Sequence, residues 1–355
     1  MVNTTPKFDF NDLLVPPLEI SNINSRKEIN VYDENGMLPL FTAPMDTVID
    51  WENFKYFEEQ KIYPIIPRTF VNDYTTTFPC WTAISLKTFK ETYGNLDFEF
   101  QGKKRILIDI ANGHMRDLLE SVEKTKSYYR DNLILMVGNI ANPNTFKILN
   151  DAGADFVRVG IGNGAGCLTT QNTVIGYPMA SLIDEIRMLN PVDTTHAKLV
   201  ADGGLKDFAD ICKALALGAN YCMVGSILNK TLESAGETFR ANVHHTDGYT
   251  EPGEKVNQYS ENVKLAFKSG AKFYKKFRGM STKEVQRALG NEAIRTSEGV
   301  TRMQPVEYTL DGWVDNFKDY LATHMSYTGT RILKEFIGKV QIISITQNSF
   351  LRFKK

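Results

Sequence analysis

Eight short apolar runs rich in β-branched residues, each closed by turn formers, recur along this chain. They are LPLFTAPM (38–45), IYPIIP (62–67), CWTAISL (80–86), RILIDIANG (105–113), LILMVGN (133–139), DFVRVGIGNG (155–164), KLVADGG (198–204) and YCMVGS (221–226). Runs that are apolar throughout, instead of alternating with polar residues, mark strands covered on both faces, as in a parallel sheet flanked by helices. Helical patterns follow the fourth run (MRDLLESVEKTKSYYR), the fifth (NPNTFKILNDAG) and the seventh (LKDFADICKALALGA). Eight strand-helix units are what a closed (β/α)8 barrel requires. The sequence thus predicts an α/β fold, a TIM barrel, built as one domain over residues 1–355.

Two connections are too long for a minimal barrel. One joins the sixth and seventh runs. The other passes about 70 residues, from Asn229 to Glu298, after the eighth. Residues 237–300 read as an extended insertion and flap on the same rim. Within it HHTDGYTEPGEKVNQYSEN is dense in turn formers and charge, which predicts a surface excursion or mobile flap with His244 and His245 facing solvent.

Composition narrows the partners. Lys plus Arg number 41 against 42 Asp plus Glu, so the basic excess that drives nonspecific nucleic-acid binding is missing and no nucleic-acid partner is expected. No apolar run approaches the ~18 residues of a membrane span, so no membrane association is expected. The start, MVNTTPKFDFNDLL, is acidic where a signal peptide needs an unbroken apolar stretch. The four cysteines, Cys80, Cys167, Cys212 and Cys222, include no CxxC pair, which fits reduced, cytoplasmic thiols. Three of them sit in apolar or helical contexts and read as buried structural thiols.

Barrels carry their chemistry at the C-terminal ends of the strands. Here those ends read APMDT, DIANGH, VGN, GIGNGAGC, ADGG and VGS, so glycine and polar residues crowd one rim. Cys167, ending GIGNGAGC, is either a nucleophilic thiol above the barrel mouth, near main-chain dipoles, or a small core residue after a glycine turn. ADGG and VGS end the seventh and eighth strands, the usual phosphate position of barrels, where backbone N–H groups receive an anion. A phosphorylated ligand is therefore expected. Asp202 beside them either accepts hydrogen bonds from a sugar diol or caps a helix.

Together these residues resemble the family of inosine 5'-monophosphate dehydrogenases and guanosine 5'-monophosphate reductases. FDFNDLLVPP, NSRKEI, TAPMDTV, DIANGH, MVGNI, GADFVRVGIGNGAGC, GYP, ADGG, GANYCMVGS and FRGMS occur in that family's order over nearly the whole chain. The resemblance implies that Cys167 attacks purine C2, that Asp202 holds the ribose hydroxyls, that Gly204, Gly225 and Ser226 help hold the 5'-phosphate, and that Gly203 beside them also contacts the substrate. RTSEG (295–299) and FRGMS resemble the reductase branch, placing Met280, Ser281, Arg295, Ser297 and Gly299 against the base and Glu298, with Thr169, in proton transfer. The Arg-Tyr pair with which dehydrogenases activate water is missing, since Arg287 is followed by Ala288, and no regulatory domain is inserted after the second strand. The implied activity is NADPH-dependent reductive deamination of GMP to IMP and ammonia in a homotetramer, with Asp109, Asn112 and Asn139 toward the cofactor. Gly162 and Gly164 would offer carbonyls to K+. The family's Thr-Thr after the cysteine is Leu168-Thr169 here, and its GPGS turn is GNGA. A minimal IMP dehydrogenase, or a non-catalytic purine-nucleotide-binding protein, remains the alternative.

Overall fold

The computed structural model describes residues 4–241, 252–290 and 299–353. All eight runs form strands: β1 (Leu40–Thr42), β2 (Ile65–Ile66), β3 (Trp81–Ile84), β4 (Lys104–Asp109), β5 (Leu133–Ile140), β6 (Phe156–Val159), β7 (Lys198–Asp202) and β8 (Tyr221–Val224). They pair in parallel from β2 round to β8 and on to β1. A parallel bridge between Phe41 and Tyr63, just ahead of β2, closes the ring, with the Thr42 N–H donating to the Tyr63 carbonyl at 3.0 Å. The result is a (β/α)8 barrel.

The apolar runs are near-continuous because successive side chains enter two different cores. In β4, Leu107 joins Phe41, Trp81, Met136, Val200 and Tyr221 inside the barrel, whereas Ile106 and Ile108 pack outward against the helices. Six of those helices are α1 (Phe54–Glu59), α2 (Leu86–Tyr93), α3 (Arg116–Tyr129), α4 (Pro143–Asp151), α5 (Met179–Leu189) and α6 (Phe208–Leu217). Start signals are explicit: the Asn142 side chain accepts from the Asn144 N–H with Pro143 in the first turn, and Asp207 accepts from the Asp210 N–H. Asp207, not Asp202, therefore caps α6. Between β2 and β3 stands only the 3-10 turn Arg68–Phe70 and irregular chain. Among the described residues no helix is long and apolar enough to cross a membrane.

The described part of the long segment after β8 is a folded excursion. It forms an antiparallel sheet of β9 (Thr238–Ala241), β10 (Pro252–Val256), β11 (Phe273–Arg278) and β12 (Thr301–Pro305), ordered β10-β9-β11-β12, with α7 (Glu261–Lys268) between β10 and β11. Leu232, Phe273 and Val306 form a small core there, against which Val256, Val263 and Phe267 pack. The chain then returns through α8 (Leu310–Tyr327), where Trp313 packs on Phe208 of α6 with ring centroids 5.3 Å apart. His244 and His245 lie outside the described residues.

β11 reads FYKKFR, and its alternation buries Phe273, Lys275 and Phe277. Lys275 is completely buried, its Nζ donating to the carbonyls of Ser234 (2.5 Å) and Gly236 (3.3 Å). Burial pushes its pKa down from 10.5 to about 7. The unfolded chain therefore binds this proton more readily above pH 7, so stability rises with pH from about 7 toward 10.5. Thermal unfolding followed across that range is expected to show the rise in the native protein and a smaller one, starting nearer pH 8, in Lys275→Met, where Lys104, lowered to about 8 by burial, still contributes.

Candidate active site

One cavity of about 420 Å³ opens at the C-terminal rim of the barrel. Its lining includes Cys167, Thr169, Asp202, Gly203, Gly204, Gly225, Ser226, Met280, Ser281, Asp109, Asn139, Gly162 and Gly164. The residues singled out at six strand ends thus converge, because parallel strands all deliver their C-termini to one rim.

Cys167 follows β6 on a loop that turns back on itself. Its N–H donates to the Gly164 carbonyl at 2.9 Å, and its Sγ lies 3.2 Å from Thr169 Oγ1 in the short helix Thr169–Thr173. Cys167 is half-buried, whereas Cys80, Cys212 and Cys222 are buried. Burial raises the thiol pKa of Cys80 to about 12 and pushes Cys212 and Cys222 upward as well. Only Cys167 therefore offers an accessible sulfur.

The loop is pinned from above by the excursion. Cys167 and Gly299 face each other in an antiparallel bridge, the Val300 N–H donates to the Gly166 carbonyl (3.1 Å), and the Gly279 N–H to the Val300 carbonyl (3.0 Å). Arg278 anchors the end of β11 to the rim, pairing with Asp46 beyond β1 at 2.5 Å and with Glu284 at 2.7 Å. Gly299 does not itself line the cavity, but this bridge sets it against the cysteine. Arg295, Ser297 and Glu298 lie outside the described residues.

Beneath the cavity Asp202, at the end of β7, accepts from Asn139 Nδ2 at 2.8 Å, and Arg158 Nε stands 3.7 Å away. Arg158 also donates to Asp109 Oδ1 at 2.5 Å. Burial raises the Asp202 pKa, while Arg158 and Asn139 oppose it by favouring the carboxylate. Gly203 and Gly204 follow with φ of +87° and +77°, a backbone that bends β7 away under the cavity and favours glycine. The Gly204 N–H is taken by the Asn163 carbonyl (2.8 Å). Gly225 and Ser226 open the short helix Ser226–Asn229 at the end of β8.

A model of the IMP dehydrogenase / GMP reductase domain matches residues 99–352, more than two thirds of the chain. The chain belongs to that family. A GMP reductase of Vibrio parahaemolyticus is 27% identical over 366 residues, covering 96% of this chain and 95% of its own length. A GMP reductase of Caenorhabditis elegans is 26% identical over 379 residues, covering 98% and 94%.

Within this member of the family some expected residues shift in role. Asn112 does not line the cavity: it is exposed on the rim, and its Oδ1 accepts the His114 N–H at 3.1 Å, the use a turn asparagine finds most readily. In the loop of Gly162 and Gly164 the carbonyls of Asn163, Gly164 and Gly166 each accept one backbone N–H group. Two residues were not anticipated. Arg158, the lone charge in an apolar strand, points into the barrel between two carboxylates, and its isolation in DFVRVG was the available signal. Arg68 lines the cavity from the end of β2, and its buried Nε has no hydrogen-bond partner.

Proposed function

We propose that the protein is a GMP reductase, converting GMP and NADPH to IMP, ammonia and NADP+. The observation that carries this reading is the Cys167 sulfur 3.2 Å from a hydroxyl, in a cavity also lined by Asp202, Gly225 and Ser226 from the ends of the next two strands. That order along β6, β7 and β8 suits a purine nucleotide with its base at the thiol, its ribose over Asp202 and its phosphate at the end of β8.

In this reading the Cys167 thiolate adds to purine C2 and the 2-amino group leaves as ammonia once protonated, which forms a covalent thioimidate. Thr169 relays the proton, and Glu298 supplies it. Glu298 is next in sequence to Gly299, whose pairing with Cys167 supports that assignment. Arg295, Ser297, Met280 and Ser281 border the base. The nicotinamide cofactor is assigned to the sector lined by Arg68, Asp109, Ile110 and Ala111, where the Arg68 guanidinium supplies positive charge for the cofactor's anionic groups. When bound, NADPH supplies the hydride that replaces the thiolate at C2. Asp109 and Asn139, tied to Arg158, Gly160 and Asp202, keep that side of the cavity rigid.

The purified protein is tested with GMP plus NADPH and, separately, with IMP plus NAD+, each with and without potassium. Loss of reduced-nicotinamide absorbance in the first, with ammonia and IMP formed, is expected. Thr169→Val is expected to lower that kcat by roughly ten- to hundredfold, the worth of one hydrogen bond to a charged group. Formation of reduced nicotinamide in the second mixture alone would move the assignment to a dehydrogenase.

A further inference from the structure

His114 does not line the cavity, yet both nitrogens of its ring are engaged. The Ala141 N–H donates to Nε2 at 3.1 Å, and Nδ1 lies 3.0 Å from Thr145 Oγ1. A backbone amide can only donate, so Nε2 carries the lone pair and Nδ1 the hydrogen. The ring is therefore neutral in this arrangement, donating through Nδ1 to the Thr145 hydroxyl.

These contacts join three separate elements: the loop after β4, the turn after β5 and the first turn of α4. The same loops are already zipped by backbone bonds, from the Asn139 N–H to the Ile110 carbonyl (2.8 Å), the Ile110 N–H to the Gly138 carbonyl (3.0 Å) and the Gly113 N–H to the Asn139 carbonyl (2.7 Å). Ile110, Ala111 and Asn139, inside this zip, face the cavity. His114 is the tie at its outer end, and part of its ring is open to solvent, so protons reach it.

We propose that His114 is a positioning residue for the cofactor sector of the cavity, a latch that is closed while the imidazole is neutral and opens when it is protonated. A protonated ring has no lone pair at Nε2, so two donors would face each other at Ala141. Naming the occupant of that sector rests on the function proposed above, whereas the latch itself does not. Charged groups on the surrounding elements are engaged elsewhere or exposed. Asp109 pairs with Arg158, Asp117 at the start of α3 with Lys90, and Lys147 on α4 with Asp151, while Arg116 is exposed. Burial alone lowers the ring's pKa from the ordinary 6.5. The unfolded chain then binds the proton more readily, so the latch's stabilisation is complete above about pH 6.5 and is lost as pH falls.

The test compares the wild type with His114→Gln, whose amide oxygen can accept from Ala141 at any pH, and with His114→Phe, which cannot accept. As pH falls from about 7.5 to about 5.5, the KM for NADPH is expected to rise about three- to tenfold more in the wild type than in the Gln variant, the range of one partly exposed hydrogen bond. Substrate phosphates titrate in the same window, so the difference between proteins is the readout. The Phe variant should show the raised KM at every pH, with GMP affinity within about twofold of wild type, since a modest loosening of one rim leaves the ribose and phosphate contacts in place. Identical pH profiles for wild type and Gln variant, or parallel losses of GMP and NADPH affinity, would overturn the proposal. ¹⁵N resonances of the His114 ring give a readout independent of turnover. The Nδ1–H tautomer at neutral pH is expected, and the Nε2–H tautomer would sink the latch even if the protein reduces GMP.

Discussion

Cys167→Ala is expected to abolish turnover, by about 10⁴-fold or more, while nucleotide affinity stays within about threefold. The asymmetry follows from where the contacts are made. The substitution removes only the sulfur at the mouth of β6, whereas ribose and phosphate would be held by Asp202 at the end of β7 and by Gly225 and Ser226 just after β8. The loop should hold its course, because the residue 167 N–H to the Gly164 carbonyl and the bridge to Gly299 are backbone contacts that alanine retains. Calorimetric titration with GMP beside a turnover assay separates the two effects. A second measurement uses the other thiols as internal controls. Cys80, Cys212 and Cys222 are buried with raised pKa values, so a thiol-alkylating reagent should modify Cys167 first, and GMP should protect it. Wild-type turnover in the alanine variant would remove the thiolate from the mechanism.

The barrel was legible because its strands obey a rule that acts residue by residue. A strand buried on both faces must be apolar at every position, as Ile106, Leu107 and Ile108 are, and eight such runs leave few architectures. The convergence of the strand-end candidates was legible for the same reason, since parallel topology brings Cys167, Asp202, Gly204 and Ser226 to one rim without any further information. What escaped depends on pairings between distant segments. Arg158 acquires its meaning from Asp109 two strands away and Asp202 one strand away in the ring, and no local pattern encodes that triangle. Lys275 in a strand reads as an outward charge, yet the carbonyls of Ser234 and Gly236 receive it inside. The excursion looked loose because its core, Leu232, Phe273 and Val306, is drawn from three separated stretches. At Asn112 local turn chemistry engages the side-chain oxygen, which accepts the His114 N–H.

Gly279→Val is expected to cost turnover about 10²-fold or more without unfolding the barrel, and it tests how the excursion controls the cysteine. Three glycines meet backbone to backbone above the cavity. A Cβ on Gly279 would stand 2.5 Å from the Gly166 carbonyl oxygen and 3.3 Å from the Gly299 Cα, and one on Gly166 would stand 2.9 Å from Phe277 Cε1. At Gly279 the obstructing atoms are main chain, so no side-chain rotation relieves the clash and a segment must shift. Each segment that can shift carries part of the site: Gly166 precedes Cys167, Gly279 precedes Met280 and Ser281, and Gly299 follows Glu298. A displacement of ~1 Å in such a group can cost ~10² in rate. None of the three glycines belongs to a barrel strand, so circular dichroism should be nearly unchanged, while GMP affinity should fall with the displacement of Met280 and Ser281. Gly279→Ala, with the same first atom and less bulk beyond it, should fall between wild type and Val. Alkylation of Cys167 should change rate in the same order, because the loop that moves is the one that presents the thiol. Wild-type turnover in the valine variant would mean that the excursion merely covers the barrel mouth and that β6 alone sets the position of Cys167.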